Sequence, residues 1–169
     1  LKIPKKSTIL DVACGKGRHS IYFNKRGMKV EGIDLSHNSI NIAKKEENKT
    51  LNFSVYDMRK VFKKDAFDII VNLFTSFGYF KKNEDEQKAI TAMALSLKQE
   101  GTLIIDFMNT KKVIKNLVES ERKEVDGVTF NIKRSIRNNY IIKDIIFSDN
   151  GNNYQFQEKV KALTLDDFS

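Results

Sequence analysis

Apolar residues in this chain fall into short runs, each followed by a turn and a stretch with helical spacing. Thr8 to Val12 is apolar but for Asp11, and leads through Ala13-Cys14-Gly15-Lys16-Gly17 into Arg18 to Arg26, closed by Gly27. That succession predicts strand, glycine turn and helix. Met28 to Asp34 predicts a second strand, and Ser36 predicts the cap of a helix that carries Ile40 and Ala43 on one face. Leu51, Phe53 and Val55 alternate with polar residues in a third strand ending near Asp57. Phe67 to Leu73 is nearly all apolar, the pattern of a strand buried on both faces and central to a sheet.

Asn83 followed by Glu86 reads as a capping box opening a helix through Leu97, which a turn at Gly101 joins to a fifth strand, Thr102 to Phe107. Strand and helix repeated in this way build an α/β fold, a doubly wound, mostly parallel sheet of Rossmann-like type that binds ligands beyond the carboxyl ends of its strands. The pattern then changes. After a helix from Thr110 to about Ser120, three β stretches follow: Val128 to Ile136, Tyr140 to Phe147 and Tyr154 to Leu163. The Asn138-Asn139 and Asn150-Gly151 turns between them predict an antiparallel meander inserted after the fifth strand. The expected organisation is a core over 1–122, an antiparallel flap on the substrate side over 123–163, and the start of a helix over 164–169 with Thr164 as its cap. The chain opens at Leu1 and stops just after this cap, so both ends read as cut and a longer protein is expected.

Composition narrows the class. The chain has 169 residues, 40% of them hydrophobic, enough to form a core, and no apolar run of membrane-spanning length. Cys14 is the single cysteine, which excludes intrachain disulfides and fits a reducing, cytoplasmic setting. Lys plus Arg number 30 against 22 Asp plus Glu, a formal charge of +8. The lysines are interspersed with acids and spread along the chain, so the surplus alone does not mark a nucleic-acid partner.

The chemistry concentrates at strand ends. Glycines in the Asp11-x-x-x-Gly15-x-Gly17 turn let the backbone approach a ligand, with free amides at the helix start. Asp34, closing the second strand, is placed to accept from both hydroxyls of a ribose. Asp57, closing the third, is placed to accept from the exocyclic amino group of adenine, with Met58 as an apolar contact to the ring. Three acids at three successive strand ends point to one crevice. A nicotinamide site fits less well, because the third glycine of its fingerprint falls at Ser20 and Asp57 has no task there.

Together ILDVACGKGRHS, VEGIDLS, VYDMR, FDIIVNLFTSFGYF and LKQEGTLIIDFMN resemble the sequential motifs of class I S-adenosylmethionine-dependent methyltransferases. Within them, DVACG, SFGY and the IDxxN ending at Asn109 are most similar to the glycine N-methyltransferase-like, small-molecule branch. The resemblance implies that Ala13, Gly15 and Gly17 form the turn along the methionine portion of the cofactor, with Asp11 near its amino group. It implies Asp34 on the ribose, Leu35 beside the adenine, Asp57 and Met58 reading the adenine, and the Leu73 backbone near the amino or sulfonium end. Ser76, Phe77 and Tyr79 would line the reacting side, with Tyr79 and Ser76 as candidate catalytic residues. Glycine-methylating enzymes carry an arginine where this chain has Met108, which argues against glycine as acceptor.

Methyl transfer to a small-molecule amine or another nitrogen or oxygen nucleophile is the implied activity, with S-adenosylmethionine as cofactor. The alternative is an RNA-associated or noncatalytic module that binds the same cofactor. His19 has two readings, a helix-surface side chain or one that reaches the cleft. His37 is expected to be exposed. With Pro4 the only proline, the Asn-Pro-Pro-Tyr signature of base-amino methylators is lacking. Cys14 inside the turn reads as packing rather than as a nucleophile, and His and Cys do not cluster at metal-ligand spacing, so no zinc site is expected.

Overall fold

Five apolar runs become five parallel strands in the computed structural model, which describes residues 3, 4 and 6–168. In the unit Leu1–Phe107 the elements are β1 (Thr8–Val12), α1 (Arg18–Lys25), β2 (Lys29–Asp34), α2 (His37–Ala43), β3 (Leu51–Val55), β4 (Phe67–Asn72), α3 (Asn83–Ser96) and β5 (Leu97–Ile105). The sheet order is β3-β2-β1-β4-β5, all pairs parallel. The order reverses between β1 and β4, the position at which open α/β sheets bind ligands.

The two-residue period of the strands sorts side chains onto two faces. Ile9, Val30, Leu51, Phe53, Ile69 and Val71 pack with Ile40 and Ala43 of α2. Leu10, Val12 and Ile33 line a narrow crevice with Ala92 and Met93 of α3. Ile9, Leu10, Ile33 and Leu51 are each at most 2% exposed, and burial of such a side chain stabilises by roughly 1.5–3 kcal/mol.

The remaining unit, Met108–Ser169, holds α4 (Thr110–Lys115) and a four-stranded antiparallel sheet of β6 (Ser120–Val125), β7 (Val128–Arg137), β8 (Tyr140–Asp149) and β9 (Asn152–Lys161). Three hairpins join them through Asp126-Gly127, Asn138-Asn139 and Asn150-Gly151, every turn residue having φ between 47° and 79°. Paired positive φ is the backbone that two-residue hairpins need.

The structure corrects the sequence reading at four places. The helix expected to reach Ser120 ends at Lys115, and β6 takes up the chain from Ser120, so the meander has four strands. The cap of α3 is Lys82 rather than Asn83, and Lys82 makes no side-chain cap bond; the side chain of Asn83 lies outside those described. The fifth strand begins at Leu97 because an irregularity, with Glu100 at φ 61°, lets it rejoin β4 at Thr102. At the end of the chain, Leu165–Phe168 is a 3-10 turn. There Thr164 donates its N–H and hydroxyl to Asp167, at 2.7 and 2.9 Å, rather than accepting as a cap.

Candidate functional site

The turn after β1 is built from left-handed residues: Ala13 at φ 59°, Gly15 at 56° and Gly17 at 81°. Its amides are tied to the end of β2. Cys14 N–H donates to Ile33 O at 3.0 Å, and Gly15 N–H donates to Asp34 Oδ2 at 2.8 Å. The other Asp34 oxygen accepts from Ser36 N–H at 2.8 Å, so both carboxylate oxygens are oriented by backbone. Each keeps a further acceptor site.

The two glycines serve different ends. A Cβ built at Gly15 would meet nothing within 4 Å, so this residue borders open space beside the Asp34 carboxylate. A Cβ at Gly17 would lie 2.5 Å from Phe53 Cζ, so Gly17 is glycine because α1 packs directly onto β3. Leu35, next to Asp34, is 68% exposed, an aliphatic surface left for a flat apolar group.

Asp11 takes a different place from the other two acids. It lies beneath α1 and is 1% exposed, with Oδ2 accepting from the Ser20 hydroxyl at 2.6 Å. Burial pushes its carboxyl up to about 6, against the lowering effect of the Ser20 hydrogen bonds. Its carboxylate thereby ties β1 to α1. Cys14 is buried too, and burial pushes its thiol well above the usual range.

Asp57 follows β3 and is gripped by Arg59, whose guanidinium bonds hold its carboxyl below the usual range. Met58 is half-buried and lines the crevice under α3 with Leu10, Val12 and Phe62.

Beyond β4 the segment 73–80 places the expected reacting-side residues unequally. Ser76 turns back, its hydroxyl donating to Leu73 O at 2.8 Å, so serine and carbonyl together brace the loop. Phe77 is 3% exposed and packs edge-on against Phe80, a core contact instead of a cleft wall. Tyr79 is half exposed.

Sequence reasoning passed over four residues here. Phe74 is 67% exposed at φ 61°, with the Arg18 guanidinium 4.6 Å from its ring centroid and the His19 ring at 5.3 Å. This gives His19 a partner off the helix, and burial, then Arg18, lowers its pKa. Asp106 holds that loop, accepting from Phe74 N–H through Oδ2 and from Thr75 N–H through its carbonyl, both at 3.0 Å. It is a fourth acid just beyond a strand end, a signal that the IIDFMN run contains. Asn72, fully buried, donates to Val12 O at 2.9 Å and ties β4 to β1 at their carboxyl ends. Arg59 is the fourth. Asn109 caps α4 by accepting from Lys112 N–H, and His37 opens α2 at the surface. Among the described residues, no three His, Cys, Asp or Glu side chains group as a metal site would need, and no helix is long and apolar enough to cross a membrane.

Comparison with known proteins fits this geometry. A family model described as a methyltransferase domain matches residues 9–101, more than half of the chain. The chain is 32% identical over 106 residues to a dTDP-3-amino-3,4,6-trideoxy-alpha-D-glucopyranose N,N-dimethyltransferase of Streptomyces venezuelae, covering 62% of this chain and 44% of that protein. It is 31% identical over 112 residues to a glycine/sarcosine N-methyltransferase of Parasynechococcus marenigrum (strain WH8102), covering 63% and 40%. A crystal structure of an S-adenosylmethionine-dependent methyltransferase from Clostridium acetobutylicum ATCC 824 superposes with a TM-score of 0.81 at 20% identity, over 96% of this chain and 70% of that one. The chain spans about half the length, or less, of the curated relatives it matches. With the matched domain covering the glycine turn and both partly buried strand-end acids, this chain belongs to the class I S-adenosylmethionine-dependent methyltransferases.

Proposed function

We propose that the protein binds S-adenosylmethionine beyond β1, β2 and β3 and transfers its methyl group to a small-molecule nucleophile, an amine nitrogen foremost. One observation carries the reading. The turn and the ribose-side carboxylate form a single unit, Gly15 N–H to Asp34 at 2.8 Å, and the missing side chain of Gly15 leaves open space beside it. Asp34 would hold the ribose, Leu35 the adenine face, and Asp57 and Met58 the adenine edge. Ala13 and Gly15 would border the methionine portion, with the Leu73 segment near its amino or sulfonium end. Asp11, expected near the amino group, would support the turn through Ser20.

A sulfonium brings its own activation, so the protein's task is alignment and exclusion of water, and a neutral amine needs no strong base. Tyr79 is the candidate for orienting the nucleophile or for ring contact with the positive methyl, which aromatic faces favour. Ser76 contributes the shape of its loop. Nitrogen as the target is supported by the two relatives, both N-methylating by name. Met108, where glycine-methylating enzymes carry arginine, argues for an acceptor other than glycine. We assign acceptor selection to the β6–β9 sheet, whose Phe130, Phe147, Tyr154 and Phe156 stack in one aromatic group.

The test is calorimetric titration of the full-length protein with S-adenosylmethionine and S-adenosylhomocysteine. It is followed by incubation with methyl-labelled cofactor and cell extract, separated into metabolite and macromolecule fractions. Binding with label in the metabolite fraction is expected. No binding refutes the reading, and label confined to RNA overturns the small-molecule acceptor.

A further inference from the structure

Beyond β3 the chain makes a tight turn in which Lys60 N–H donates to Asp57 O and Arg59 N–H to Asp57 Oδ1, each at 3.0 Å. The Arg59 side chain then folds back on the same carboxylate. Nε bridges Oδ1 and Oδ2 at 3.0 and 3.1 Å, and Nη2 donates to Oδ2 at 2.6 Å. The remaining nitrogen, Nη1, donates to Asp85 Oδ2 at 3.0 Å in the first turn of α3, where Lys88 also reaches Asp85 at 3.3 Å. One guanidinium thus joins the end of a strand to the start of a helix distant in sequence.

We propose that Arg59 is a positioning residue for adenine recognition: it sets the plane of the Asp57 carboxylate and anchors it to α3 through Asp85. This rests on the assignment of Asp57 to the adenine amino group. Asp57 lies past the end of β3, where its side chain would otherwise turn freely about two bonds. A planar guanidinium fork fixes such a carboxylate in a way that a point charge does not. Two contacts reach each oxygen, the Arg59 amide and Nε on Oδ1 and Nε and Nη2 on Oδ2, so the four acceptor sites are met by three donors, one of them shared. A further donor such as an exocyclic amino group would enter in the plane held by the guanidinium by taking over one side of that shared bond. As a plain surface ion pair the cluster would have little energetic weight, so its effect is expected in the geometry of recognition.

The measurement is the affinity of the full-length protein for S-adenosylhomocysteine relative to S-inosylhomocysteine, in which a ring carbonyl replaces the amino donor. Wild type is expected to prefer the adenosyl ligand by on the order of tenfold or more, since the inosyl oxygen would face a carboxylate without a donor between them. Arg59→Lys keeps the charge and loses the fork, so the preference should shrink several-fold while the melting temperature stays close to wild type. Asp85→Asn, which loosens only the anchor, should shrink it less, and serves as the test if Arg59→Lys folds poorly. Asp57→Ala should abolish it. If Asp57→Ala abolishes the preference while Arg59→Lys and Asp85→Asn weaken both ligands equally, or not at all, the positioning role is overturned and the adenine assignment stands. If Asp57→Ala leaves the preference intact, the adenine assignment itself fails and the role of Arg59 falls with it.

Discussion

The Gly15 amide donates to Asp34 Oδ2 at 2.8 Å, so the carboxylate that orients the turn after β1 is the one proposed to hold the ribose. Removing it withdraws a ligand contact and loosens the loop together. Asp34→Ala is expected to weaken S-adenosylmethionine and S-adenosylhomocysteine alike by about 1.5–3 kcal/mol, the range for hydrogen bonds to a charged group. Calorimetric titration reads this directly, and equal affinities for variant and wild type would remove Asp34 from the site.

Gly15 and Gly17 should separate binding from stability. Both have positive φ, which costs a residue with a Cβ about 1–2 kcal/mol. Gly15→Ala adds only that, since its methyl enters open space, but it enters where the ligand is proposed to lie. Gly17→Ala also drives a methyl against the Phe53 ring, and overpacking adds about 1–3 kcal/mol. Denaturant titration should therefore show Gly17→Ala as the less stable variant, while ligand titration should show Gly15→Ala losing most of its affinity though folded.

Asp11 makes stability depend on pH in an unusual direction for a carboxylate. Burial lifts its folded-state pKa to about 6 from the ordinary 3.8. Below the unfolded value both states hold the proton, and the contribution to stability is fully present. As pH rises toward the folded value the unfolded carboxyl ionises first, so stability is lost, by up to about 3 kcal/mol once the pH exceeds 6. Asp11→Asn cannot ionise. It should match wild type near pH 4 and exceed it in chemical denaturation near pH 8. A constant difference across pH would show that Asp11 carries no such linkage.

Cys14 should be inert in the folded protein. It is 9% exposed, its thiol is pushed up by burial, and its sulfur packs where a Cβ on Gly32 would come within 2.9 Å. Thiolate is the reactive form, so a disulfide-exchange reagent should label Cys14 only in denaturant. Rapid labelling of the native protein at neutral pH would contradict the packing.

How far the sequence reveals this molecule depends on where each signal is stored. The five parallel strands are legible because their buried positions are apolar, as Phe67, Ile69, Ile70 and Val71 of β4 are. The glycine turn, Asp34 and Asp57 are legible because special backbone and strand-end acids occur at fixed intervals. β6 is not, because Ser-Glu-Arg-Lys-Glu-Val has no buried face and gains its order from pairing with β7. The Asp126-Gly127 dipeptide was the available clue. The burial of Asp11 and Phe77 depends on what packs above them. The Asp57–Arg59–Asp85 cluster likewise exists only once α3 is folded against the sheet, since its third member lies far along the chain.

At the amino ends of the strands, Lys98 Nζ meets Asp68 at 2.8 Å, and Thr8 donates its amide and hydroxyl to the same carboxylate at 2.7 Å each, joining β5, β4 and β1. These bonds hold the Asp68 carboxyl down to about 2, so the clasp persists until strongly acid conditions. In a parallel sheet this rim lies a full strand length from the one that carries the proposed chemistry. The Asp68 clasp can thus be altered without touching any residue of the rim proposed to hold the ligand.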